Sequence, residues 1–116
     1  MHSIKLEDMV ITVDKENNVV VCKLFNCEGI AITRIEKYIN EYCYNKERYK
    51  INDTFTGVAR CCPDDTWDPY VGISLAIERA KKKRNAAINN ALMKYINDKY
   101  NSLERLVNYG IHEWDD

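Results

Sequence analysis

From Tyr70 to Tyr109 the chain holds no proline and a single glycine, Gly72, directly after a proline at position 69. Such a stretch is free to run as helix. Proline suits a first helical position, where its missing donor would have had no partner, and Asp68 before it is a good N-cap, so a helix starts here. Ile73, Ala76, Ile77, Ala80, Ala87, Ile88, Ala91, Leu92, Tyr95 and Ile96 form a stripe at spacings of three and four, interrupted only around Arg84. A single helix of this length would reach about 60 Å at 1.5 Å per residue, too long for a compact domain of this size. The expectation is therefore a break, at Asn89-Asn90 or Asn97 to Ser102, or packing on another copy. Leu103, Leu106 and Val107 suit a separate final helix, with Gly110 as its C-cap.

The rest of the chain reads as support for this stretch. Residues 1–8 show no period and read as a loose arm. Met9–Val13 and Val19–Phe25, separated by the polar run Asp14–Asn18, form a hairpin. Ile32, Ile35, Ile39 and Tyr42 recur at helical spacing and mark an amphipathic helix over 30–44, with Arg34, Glu36, Lys37, Asn40 and Glu41 on its polar face. Tyr38 and Tyr42 lie one turn apart and read better as core-edge tyrosines than as ligand hydroxyls. Residues 49–62 have strand character, with a bend or bulge at Asn52-Asp53 and Gly57. The fold class is α+β: one domain over 1–116, β-rich with one helix over 1–62 and helical over 68–110.

Composition limits the functional classes. The 116 residues are 46% hydrophobic and 30% charged, with net charge −1, which argues against a coat for long nucleic acid. No apolar run approaches the roughly 20 residues of a membrane span, so a cytoplasmic protein is expected. Cys22, Cys27, Cys43, Cys61 and Cys62 show no Cys-x-x-Cys spacing and read as reduced, mostly buried thiols without a disulfide or metal. Asp64, Asp65 and Asp68 fit helix capping better than a metal site, and Trp67 reads as a cover over the strand–helix junction. No catalytic set or cofactor motif is visible, which argues against an enzyme.

What remains is binding chemistry. Lys81-Lys82-Lys83-Arg84 is the only concentrated positive charge, and four consecutive helical residues cannot share one face. Arg84, with Arg79 and Arg105, could be gathered by a helix pair or dimer for bidentate phosphate contacts. Arg60 leads into the turn. Asn85 and Asn89, one turn apart, suit the edge of a base or sugar hydroxyls, and Asn90 adjoins them. The expected ligand contacts are thus Arg60, Arg84, Asn85, Asn89, Asn90 and Arg105.

Gly57-Val58-Ala59-Arg60-Cys61-Cys62-Pro63-Asp64-Asp65-Thr66-Trp67-Asp68, followed by Gly72-Ile73-Ser74-Leu75-Ala76-Ile77-Glu78-Arg79-Ala80, resembles a recurrent motif of small phage and prophage proteins of Gram-positive bacteria. It covers about a quarter of the chain. With the hairpin and the long C-terminal helix, the chain is similar to the first-described Thoeris anti-defence sponge family. That resemblance implies a homo-oligomer with an N-terminal antiparallel sheet and C-terminal helices. It would work in the cytoplasm of an infected or lysogenic host. It implies sequestration, without cleavage, of the glyco-cyclic ADP-ribose signal of bacterial TIR enzymes, and in some members of cyclic oligonucleotides. The alternative expectation is a phage protein that inhibits or regulates a host protein through its C-terminal helices.

Overall fold

The computed structural model describes residues 2–38, 45–61 and 66–114. Their order is β1 (His2–Leu6), β2 (Met9–Asp14), β3 (Val19–Leu24), α1 (Cys27–Tyr38), β4 (Phe55–Arg60) and α2 (Pro69–Trp114). The four strands form one antiparallel sheet in sequence order, with α1 inserted between β3 and β4. The fold is α+β, as the sequence indicates. Among the described residues no helix is long and apolar enough to cross a membrane.

Alternation builds the sheet's inner face. Ile11 and Val13 on β2, Val20, Cys22 and Leu24 on β3, and Ala59 on β4 are buried, while their neighbours along each strand are not. The β2–β3 hairpin closes through Asp14, whose carboxylate accepts from Asn17 N (3.2 Å) and Asn17 Nδ2 (2.8 Å), and through Asn18 in the left-handed region at φ 52°. Residues 2–6 are not a loose arm: they pair with β2 from His2↔Val13 to Leu6↔Met9. All five residues of β1 are exposed: Ile4 and Leu6 share one face, with Ser3 and Lys5 on the other, an alternation too short to mark a strand by itself.

Three further expectations are corrected. The third expected strand is shorter, with Tyr49 and Ile51 buried in a connection ahead of β4. Gly57 is no bulge, because β3 and β4 pair without interruption from Val19↔Arg60 to Leu24↔Phe55. A Cβ there would overlap the backbone of α2 at Ala76 O and Ala80 N. The first helix begins at Cys27, earlier than expected, because Asp53 caps it: Asp53 Oδ1 accepts from Glu28 N (3.2 Å) and Asp53 O from Cys27 N (2.9 Å). Residues 39–44 of the expected helix, and the expected roles of Cys62, Asp64 and Asp65, lie outside the described residues.

Asp68 does cap α2, accepting from Tyr70 N through its carboxylate (3.0 Å) and from Gly72 N through its carbonyl (3.1 Å). Asp68→Ala is expected to cost about 1 kcal/mol, read as a shift in the denaturant midpoint. The helix then runs unbroken for 46 residues, through Asn89-Asn90, Asn97–Ser102 and Gly110 alike. Asparagine is a mediocre helix former but no breaker, and nothing from Ile73 to Tyr109 forces a turn. Excess length goes outward, and the molecule spans 76 Å along its main axis.

One face of α2, Ala76, Ala80, Arg84, Ile88, Ala91 and Tyr95, is buried against the sheet and α1. Arg79 Nη1 donates to Val58 O (2.7 Å) and Lys83 Nζ to Thr56 O (2.9 Å), which covers the free edge of β4. Asp98 ties α2 to the connection ahead of β4. Arg48 grips its carboxylate through Nε (2.6 Å) and Nη2 (3.0 Å), and Tyr49 OH donates to it (2.7 Å), with the Tyr49 and Tyr95 rings edge to face at 5.3 Å.

Arg48 first, then Tyr49, hold the Asp98 carboxyl well below the usual carboxylate range. A lowered folded pKa contributes stability above the unfolded value of about 3.9, and that contribution is lost as pH falls through the folded one. Asp98→Asn is therefore expected to lower the melting temperature at neutral pH, with the gap to wild type narrowing in acid. Thermal melts at pH 7 and pH 3 check this.

Candidate anion-binding site

Where α1 crosses α2, two arginines meet one amide. Arg34 Nη1, from α1, donates to Asn85 Oδ1 at 2.9 Å, and Arg84 Nε, from α2, donates to the same oxygen at 3.3 Å. Arg84 is 9% exposed. It occupies the helical position between Ala80 and Ile88 where an apolar residue would continue the stripe, so its charge is carried into the core edge. The ion pairs among the described residues are Lys46–Glu36, Arg48–Asp98 and Lys50–Glu28, and none involves Arg34 or Arg84.

Two guanidiniums on one neutral acceptor bring like charges together, and the burial of Arg84 adds a desolvation cost. A neutral amide does not offset this. An anion does, because each guanidinium presents a fork of donors to carboxylate or phosphate oxygens.

The surroundings extend this chemistry. Arg34, Lys37, Ile35, Ile88, Asn89 and Leu92 line a cavity of about 280 Å³ between the helices. Asn89 also lines an adjoining open groove of about 720 Å³, shared with Asn85, Lys81, Lys82, Ser74 and Glu78. Cations, two carboxamides one turn apart and an apolar floor thus lie together, and Glu78 is the one acid in either lining. Cys27 lies near enough for the Arg84 charge to favour its thiolate, though burial dominates and pushes the thiol up.

Of the expected contacts, Arg84 meets Asn85, and Asn85 and Asn89 share the open groove, while Arg84 itself lines neither cavity. Asn90 opens to the opposite side, in a shallow cavity with Arg48, Tyr49 and Lys94. Arg60 is exposed at the end of β4, beside a cavity of about 360 Å³ whose walls include Trp67, Cys61, Asp68, Val71 and Leu75. Trp67 is partly buried over this joint, and its Nε1 is buried without a hydrogen-bond partner among the described residues. Arg105 lies on the exposed arm, about 30 Å along the helix from Arg84. Within one chain a single small ligand does not reach all six. Sequence reasoning missed Arg34 and Lys37, which read there as ordinary residues of a solvated helix face.

Comparison of the chain with family models, with curated proteins and with solved structures gives no match.

Proposed function

We propose that this chain binds a phosphate-bearing, nucleotide-type ligand in the groove between α1 and α2 and holds it without breaking a bond. The observation that carries the reading is the pair Arg34 and Arg84 on one amide oxygen, with no carboxylate among the described residues to neutralise either. A phosphate supplies the missing charge in the geometry that guanidinium forks match. Asn85 and Asn89 offer donors and acceptors to a base edge or ribose hydroxyls, and Ile35, Ile88 and Leu92 offer apolar area for the remainder. Cyclic nucleotide signals, glyco-cyclic ADP-ribose first among them, combine these parts and agree with the resemblance carried by residues 57–80. Sequestration of such an immune signal for a phage is the role this binding would serve.

Calorimetry with glyco-cyclic ADP-ribose, cyclic dinucleotides, linear ADP-ribose and inorganic phosphate tests the reading. Binding of at least one nucleotide, weakening with salt, and recovery of the ligand intact after heat denaturation are expected. No binding across the panel would sink the proposal, and chromatography showing turnover products would sink its second half.

A further inference from the structure

The amide at the crossing of α1 and α2 has a fixed orientation. Asn85 Oδ1 accepts from Arg34 Nη1 (2.9 Å) on one helix and from Arg84 Nε (3.3 Å) on the other. Guanidinium nitrogens only donate, so the atom between them must be the amide oxygen, and its two lone pairs are both used. The amide nitrogen is what remains. It carries two donors, makes no hydrogen bond to the described residues, and belongs to a half-buried side chain that lines the open groove.

Arg34 lines the cavity between the helices and Asn85 lines the groove, but Arg84 lines neither. The hydrogen bond that Arg84 makes in this direction ends on Asn85, so the amide is the group through which that arginine meets the groove. Accepting from two cations draws electron density toward the oxygen and strengthens the N–H groups as donors, because linked hydrogen bonds polarise one another. A side chain with both functions is thereby reduced to donors. Asn89, one turn further on, is exposed, lines both spaces and keeps both functions.

The choice of an amide over an acid or an apolar residue then has a reason. A carboxylate at position 85 would take both guanidiniums itself, in the geometry that arginine forks match, and would close the crossing to an external anion. An apolar side chain would leave the forks without a common acceptor, and Arg84 is only 9% exposed, where an unmade hydrogen bond costs most. Asparagine fastens both forks and leaves their charge uncancelled.

We infer that Asn85 is the positioning and specificity-determining residue of the groove: its oxygen holds Arg34 and Arg84 in place, and its nitrogen offers only donors, so the ligand group seated against it is an oxyanion rather than an amino group. Reading of a base edge or a sugar falls to Asn89. The inference rests on the groove being an anion site, and it names the part of the ligand that meets Asn85.

Asn85→Asp is expected to raise the melting temperature at pH 7, without added ligand, by about 4 °C, because the new carboxylate turns two neutral hydrogen bonds into charge-assisted ones. The charged groups around position 85 are Arg34 and Lys37 on α1 and Glu78, Lys81, Lys82 and Arg84 on α2. Their balance is positive, which holds the folded carboxyl below its unfolded value of about 3.9. The gain is therefore present above that value and narrows as the pH falls to 3. Calorimetry with inorganic pyrophosphate should show the same variant binding at least about ten-fold more weakly than wild type. Asn85→Leu, of similar size but with neither donor nor acceptor, should lose affinity by a similar factor and melt below wild type at both pH values. A residue that merely packs would move stability and binding together in both variants.

An Asn85→Asp chain no more stable than wild type at pH 7 overturns the inference, and so does one that binds pyrophosphate as wild type does. A wild-type chain that does not bind pyrophosphate, with the stability gain and its pH dependence intact, supports the fastening role of Asn85 and overturns the anion reading of the groove.

Discussion

Gly57→Ala is expected to destabilise the fold by about 3 kcal/mol or more, the upper end of what overpacking costs. The added methyl would overlap Ala76 O and Ala80 N, which are backbone atoms of a continuous helix and have no side-chain rotamer by which to yield. Relief requires moving α2 away from β4, and that movement opens the contacts of Ala76 and Ala80 and strains the bonds from Arg79 to Val58 O and from Lys83 to Thr56 O. Gly57→Val is expected to abolish folding. Denaturant titration followed by circular dichroism measures the first, and loss of the cooperative transition reports the second. A change under 1 kcal/mol for alanine would show that the helix is free to shift on the sheet.

Arg84→Met is expected to separate binding from stability. Methionine keeps most of the buried stem and removes a charge that no carboxylate among the described residues offsets, so the ligand-free protein should be as stable as wild type or more so. Nucleotide affinity should fall by ten- to a hundred-fold, the effect of losing a charge-assisted hydrogen bond to phosphate. Arg34→Gln should lose affinity by a similar factor with little change in stability, because Arg34 is exposed. A methionine variant that unfolds would instead assign Arg84 a structural role.

Local chemistry made most of the architecture legible. The hairpin announced itself by two β-branched runs around an Asp/Asn turn, and Asp68-Pro69 marked the start of α2 to the residue. What escaped depends on partners distant in sequence. The strand character of β1 comes from pairing with β2, and the bareness of Gly57 from a helix some 20 residues further on. Compactness was the wrong premise for α2, since a helix that finds no neighbour simply continues. For the site, the break in the apolar stripe at Arg84 was the usable sign: a cation at a core position in an otherwise regular face. Arg34 carried no such sign, because an arginine on the polar face of a helix looks the same whether it meets solvent or a second arginine.

The unbroken α2 also governs how the molecule moves through a solvent. A radius of gyration of 21.1 Å, against about 13 Å for a compact chain of this length, makes one copy a rod-like particle with high friction. On a gel-filtration column calibrated with spherical standards such a rod emerges early and mimics a heavier species even when alone. Only measurements that weigh the particle, by scattering or by sedimentation to equilibrium, count its chains.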